Sequence, residues 1–218
     1  KDLSHVRELD LSWNKISDNG LQKLAGYNSL KNLTRLILNS NEIADKGAHS
    51  LSTSGNLQKL KSLELAYNNL TQFGALSLVK SSNLRSLQSL DLEMNKIGKK
   101  ESNKFPDGTS IPDLKILNLR KNQIGDDALR DWAQSGGFAG LNHLNLGWNR
   151  ISDAGAKVLA NSPTLNQLRD LILDSNHIGD SGSFNLAQSK NFANLKNLNM
   201  ADNNFNFDGE SALLDLRI

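Results

Sequence analysis

Apolar side chains recur along this chain at a fixed spacing. Leu9, Leu11 and Ile16 surround Asn14, and the same arrangement returns every 27 residues. Asparagine stands at 14, 41, 68, 95, 122, 149, 176 and 203, with no insertion or deletion between copies. Five residues before each is a leucine, from Leu9 to Leu198. Three before is Leu11, Leu38, Leu65, Leu92, Leu119, Leu146, Leu173 or Met200. Two after comes an isoleucine, Leu70 or Phe205. The frame LxxLxLxxNxI is therefore written eight times. Its L-x-L alternation places both leucines on one face of a short strand and the residue between them on the other. One such strand cannot bury its leucines alone, whereas eight stacked strands share a continuous core in a quasi-one-dimensional solenoid. The asparagine follows at a turn into that core, where its side chain, both donor and acceptor, can satisfy backbone groups left unpaired.

The return half of each repeat is also patterned. Six residues past the asparagine come Gly20, Gly47, Gly74, Glu101, Ala128, Gly155, Gly182 and Gly209; ten past come Leu24, Leu51, Leu78, Phe105, Trp132, Leu159, Leu186 and Leu213. Asp18, Asp45, Asp126, Asp153 and Asp180 precede the small residue by two, where they are expected to act as helix N-caps. Stretches such as "GAKVLANS" at 155–162 read as two helical turns. Residues 98–112, with Pro106 and "PDG", break the pattern and predict an irregular segment after Asn95, with helices in the other repeats.

With this frame the chain resembles the leucine-rich repeat family. The 27-residue unit and helical return resemble the ribonuclease-inhibitor-like class, with a "GAxxLA" flavour similar to bacterial members. The resemblance implies an α/β fold: a right-handed solenoid or horseshoe of eight repeats, with a parallel β-sheet on the concave side and helices on the convex side. It covers residues 1–218 as a single domain. Leu3 and Val6 match the spacing of Leu30 and Leu33, so the chain is expected to be a piece of a longer protein.

Composition narrows the function. Of the residues, 38% are hydrophobic and 22% charged, with a formal net charge of +2. No apolar run is long enough to cross a bilayer, and no charge block suggests a nucleic-acid or anionic-membrane surface, so neither partner is expected. Cysteine is absent, which excludes disulfides and zinc–thiolate sites and favours a reducing compartment. The expected location is the cytoplasm, or a host cytosol into which the protein is secreted.

Candidate recognition residues lie on the strand face. Between the two leucines stand Asp10, Ile37, Glu64, Asp91, Asn118, Asn145, Ile172 and Asn199, forming a ladder in which Glu64 and Asp91 are direct neighbours with Glu93 close by. Like charges on adjacent strands are unfavourable. A basic partner, Arg120, Lys61 or solvent would compensate them. Just before the asparagine come Trp13, Ser40, Tyr67, Met94, Lys121, Trp148, Ser175 and Asp202. Trp and Tyr dominate binding hot spots, so Trp13, Tyr67, Met94 and Trp148 are the expected anchors. A basic row, Arg7, Lys61, Lys115, Arg169 and Lys196, reads as a solvated edge.

Catalysis finds little footing. The four histidines occupy unrelated frame positions; only His143 lies on the strand face, beside Asp170, and no nucleophile or metal-ligand set accompanies the pair. No phosphate-binding glycine loop is present. The chain is expected to be a monomeric, non-enzymatic module that binds a partner protein and needs no cofactor. The resemblance implies roles in bacterial effectors, in regulation of GTPases or nucleases, or as a spacer for a catalytic domain.

Overall fold

The computed structural model describes residues 2–98, 111–134 and 138–214. The chain divides into two compact units, Lys1–Lys99 with Thr109–Leu117, and Lys100–Gly108 with Asn118–Ile218. The first carries β1 (Glu8–Asp10), α1 (Asp18–Ala25), β2 (Arg35–Ile37), α2 (Asp45–Ser52), β3 (Ser62–Glu64), α3 (Gln72–Val79) and β4 (Ser89–Asp91). Strand β5 (Ile116–Asn118) falls at the boundary. The second carries α4 (Asp126–Gln134), β6 (His143–Asn145), α5 (Asp153–Ala160), β7 (Asp170–Ile172), α6 (Asp180–Ala187), β8 (Asn197–Asn199) and α7 (Phe207–Leu214).

The strands are parallel and ordered as in the chain, β1 to β8. Their register equals the sequence period: Leu9 pairs with Leu36, Leu36 with Leu63, and Leu63 with Leu90. In the second unit Leu144 pairs with Leu171 and Leu171 with Leu198. Identical frame positions thus stack, and the leucines of the inner rungs are fully buried. This is the α/β solenoid that the repeat requires. Among the described residues, seven repeats carry the expected helix after their asparagine. The irregular segment expected at 98–112 lies outside the described residues apart from Gly98, Ile111 and Pro112.

The asparagine row works as a hydrogen-bonded ladder. Asn68 Nδ2 donates to Leu38 O at 3.0 Å and to Leu65 O at 3.1 Å, while its Oδ1 accepts from Ile43 N at 3.0 Å. Each side chain therefore ties its own turn to the preceding repeat, and Asn41, Asn149, Asn176 and Asn203 do the same.

The aspartates correct the sequence reading. None caps its own helix; each is the first residue of its helix and caps the helix of the following repeat. Asp18 Oδ1 accepts from Ala44 N at 2.8 Å and Gly47 N at 2.9 Å, the N-cap and third-residue N–H groups at the start of α2. Asp45 does this for Thr71 and Gly74, Asp153 for Gly179 and Gly182, and Asp180 for Asn206 and Gly209. Asp126 accepts from Ser152 N at 2.9 Å and from the Ser152 hydroxyl at 2.6 Å. The carboxylate thus satisfies orphan N–H groups at a helix N-terminus, where negative charge is favoured. It also explains the glycines. A Cβ on Gly74 would lie 2.5 Å from Asp45 Oδ1 and 2.8 Å from Leu70 Cδ2, and one on Gly182 would lie 2.5 Å from Asp153 Oδ1. Where position 72 is Gln and position 99 Lys, the matching positions 101 and 128 carry Glu and Ala. Acid and glycine come and go together.

Candidate functional site: the strand face

Immediately before each asparagine the backbone enters the left-handed region. Trp13, Ser40, Tyr67, Met94, Lys121, Trp148, Ser175 and Asp202 all have φ between 52° and 58°. Glycine and asparagine suit this conformation best, and other L-residues adopt it at a cost of roughly 1–2 kcal/mol each. Yet none of the eight is either. The backbone demand explains the turn; it does not explain two tryptophans, a tyrosine and a methionine there. Their side chains are exposed: Trp13 by 82%, Trp148 by 51%, Tyr67 by 46% and Met94 by 42%.

In the first unit, Asp10, Glu64, Asp91, Glu93, Trp13, Tyr67 and Met94 share one face of β1 to β4 and its exit turns. Glu64 and Asp91 are register partners, as expected. The cation beside Glu64, however, is Arg35. Its Nε and Nη2 donate to Glu64 Oε1 at 3.1 and 2.8 Å, and its Nη1 reaches Glu8 at 3.2 Å. Asn39 Nδ2 holds the other Glu64 oxygen at 3.1 Å. Asp10 accepts from the Ser12 hydroxyl at 2.6 Å and from Ser12 N at 2.9 Å. Those bonds, with Arg35 nearby, hold its carboxyl below the usual aspartate value, so it keeps its charge. Asp91 accepts from Glu93 N at 2.9 Å.

In the second unit the face is organised differently. Arg120, read as a partner-binding residue or a counter-charge for the Glu64–Asp91 pair, makes a bidentate ion pair with Asp174 at 2.7 and 2.9 Å. The pair is mostly buried, with side-chain exposures of 24% and 10%. It reaches across the intervening rung because that rung holds Gly147, where a Cβ would collide with both Arg120 Nη1 and Asp174 Oδ1. Sequence reasoning passed over Gly147 and Asp174. The available signal was a glycine just past the end of a strand, which marks a close approach. Beside this bridge the Lys121 ammonium sits 5.4 Å from the Trp148 ring centroid, a cation–π contact that steadies the indole.

His143 and Asp170 are register partners, with Nδ1 3.7 Å from the carboxylate, and Asn197 also donates to Asp170. This pair is partly exposed on the sheet, and among the described residues no serine, threonine or cysteine side chain is hydrogen-bonded to either member. Among the described residues no cluster of three metal-ligating side chains occurs, and no helix is long and apolar enough to cross a membrane.

A parallel sheet with a helix behind seven of its described turns, tied repeat to repeat, defines a solenoid repeat protein of the kind that presents a stacked strand face. Two sequence models of the leucine-rich repeat match the chain, one over residues 9–142 and the other over 141–160 and 164–187. The chain belongs to the leucine-rich repeat family, whose domains generally mediate protein–protein interaction and are typically non-catalytic binding modules. No curated protein matches it in sequence. Among solved structures, the crystal structure of Listeria monocytogenes InlP shares its fold, with a TM-score of 0.64 and 19% identity. The match covers 93% of this chain and 51% of InlP, so the chain spans about half the length of that protein.

Proposed function

We propose that this protein is a recognition module that binds a partner protein through its strand face, with Trp13, Tyr67, Met94 and Trp148 as anchors. The observation that carries this reading is the left-handed row. Eight positions share one unfavourable backbone conformation, and four of them bear large exposed apolar side chains that folding does not call for. Backbone strain retained with a costly side chain is the pattern of a functional surface, and exposed aromatics are the side chains that dominate protein interfaces. The helical return segments support the ribonuclease-inhibitor-like subclass.

The test is site-specific photo-crosslinking in an extract of the source cells. A photoreactive residue replaces Ser40 or Ser175, within the row, or Lys46 or Lys157, exposed on the helices. Defined protein adducts are expected from the row positions and are expected to fade when Trp13→Ala and Trp148→Ala are added. Adducts confined to the helical positions, or indifferent to loss of the tryptophans, would overturn the proposal.

A further inference from the structure

Resting on that reading, the second unit points to the chemistry of the partner. We infer that its part of the left-handed row, Lys121, Trp148, Ser175 and Asp202, docks an extended segment of a partner protein. That segment carries an acidic and a basic side chain about four residues apart, with an apolar side chain between them.

The row sets four unlike groups in a fixed order, ammonium, indole, hydroxyl and carboxylate, one per repeat. Backbone bonds hold that order: Lys121 N donates to Gly147 O at 2.9 Å, Trp148 N to Asp174 O at 2.8 Å and Ser175 N to Ala201 O at 2.8 Å. All four residues keep φ between 52° and 56°, so each side chain leaves an equivalent turn. The charges stand at the two ends, and among the described residues neither forms an ion pair. Lys121 lies over the Trp148 ring, and the Asp202 carboxylate accepts one long bond from the Ser175 hydroxyl, at 3.5 Å. Arg120 and Asp174, which precede Lys121 and Ser175, neutralise each other over Gly147. Between the charged ends the indole is 51% exposed, although Lys121 already steadies it.

Such a row selects by charge at both ends. A carboxylate of the partner pairs with the Lys121 ammonium, a lysine or arginine pairs with Asp202, and an apolar side chain packs on the indole. Covering the indole also removes water from the Lys121 ion pair, which strengthens it. Three rung spacings of about 4.8 Å separate the charged ends by roughly 14 Å, the length of about four extended residues. A segment lying the other way would set like charges together at both ends, so the row fixes its direction as well. In the first unit the same frame position holds Trp13, Ser40, Tyr67 and Met94, none of them charged, so this selection belongs to the second.

The experiment is selection of displayed random peptides on the intact protein, followed by affinity measurement with the enriched peptides. Enrichment of peptides with an acid and a base flanking an apolar residue at that spacing is expected. Lys121→Ala and Asp202→Asn should each weaken their binding about fivefold, the upper range for an ion pair at an exposed site. The double reversal Lys121→Glu with Asp202→Lys should prefer the same peptides with their two charges exchanged. Circular dichroism checks the fold of each variant. Enriched peptides that need Trp148 but lack the charge pair, or are unchanged by one or both charge variants, would overturn the inference and leave the strand-face reading standing. Peptides indifferent to Trp148→Ala, to Trp13→Ala and to both charge variants would overturn both. No enrichment above a selection on the Lys121→Ala, Asp202→Asn double variant would also overturn the inference.

Discussion

Two rows of this molecule repeat every 27 residues and obey opposite rules. In the aspartate–glycine row, residue identity is kept wherever the interaction is kept: a carboxylate caps the next helix, and glycine leaves room for it. In the left-handed row, geometry is held within 6° of φ while identity wanders from tryptophan to serine to lysine. A row that holds both identity and geometry is maintained by folding. A row that holds geometry alone, and fills it with residues the geometry disfavours, is under another demand. The comparison separates scaffold from surface without any knowledge of the partner.

The largest expected effect lies in the scaffold. Asn68→Ala removes two donors and one acceptor from buried backbone groups in two consecutive repeats. Leaving such groups unpaired should lower the unfolding free energy by roughly 3 kcal/mol in urea denaturation. A loss near zero would mean that the turns are held by their backbone alone.

The glycine row offers an internal control. Gly74→Ala drives a methyl group onto Asp45 and Leu70 and should destabilise by about 2 kcal/mol, the scale of overpacking. Gly20 occupies the same frame position in the first repeat; a Cβ there meets Ile16 Cγ2 at 3.2 Å. Gly20→Ala should fall between no change and a gain of about 1 kcal/mol from helix propensity. Equal effects at the two sites would remove the carboxylate as the reason for the glycines.

The strands, the leucine core and the asparagine turns were legible because their periodicities are local: a two-residue alternation repeated at fixed phase. What escaped involves partners beyond the local segment. Asp18 bonds to groups 26 and 29 residues away, so inspection of its own helix suggested a local cap and assigned the wrong recipient. Arg120 finds Asp174 54 residues away, two rungs on, whereas comparison of adjacent repeats places only immediate neighbours together. Arg35 was missed as the counter-ion of Glu64 because it sits two positions before Ile37, in a row not read for charge. The exposed aromatic row was legible as a row; its left-handed backbone was not, because neither glycine nor asparagine marked it.

The central claim is that the side chains of the left-handed row are retained for something other than folding. It is tested most directly by comparing the urea stabilities of the natural protein, Trp13→Ala and Trp13→Gly. The account expects Trp13→Ala to lie within about 0.5 kcal/mol of the natural protein, as exposed substitutions do. It expects Trp13→Gly to be about as stable or up to about 1 kcal/mol more stable, because glycine relieves the left-handed strain that alanine keeps. A loss of about 2 kcal/mol or more in both variants would show that the indole is structural, and the row would no longer mark a recognition surface.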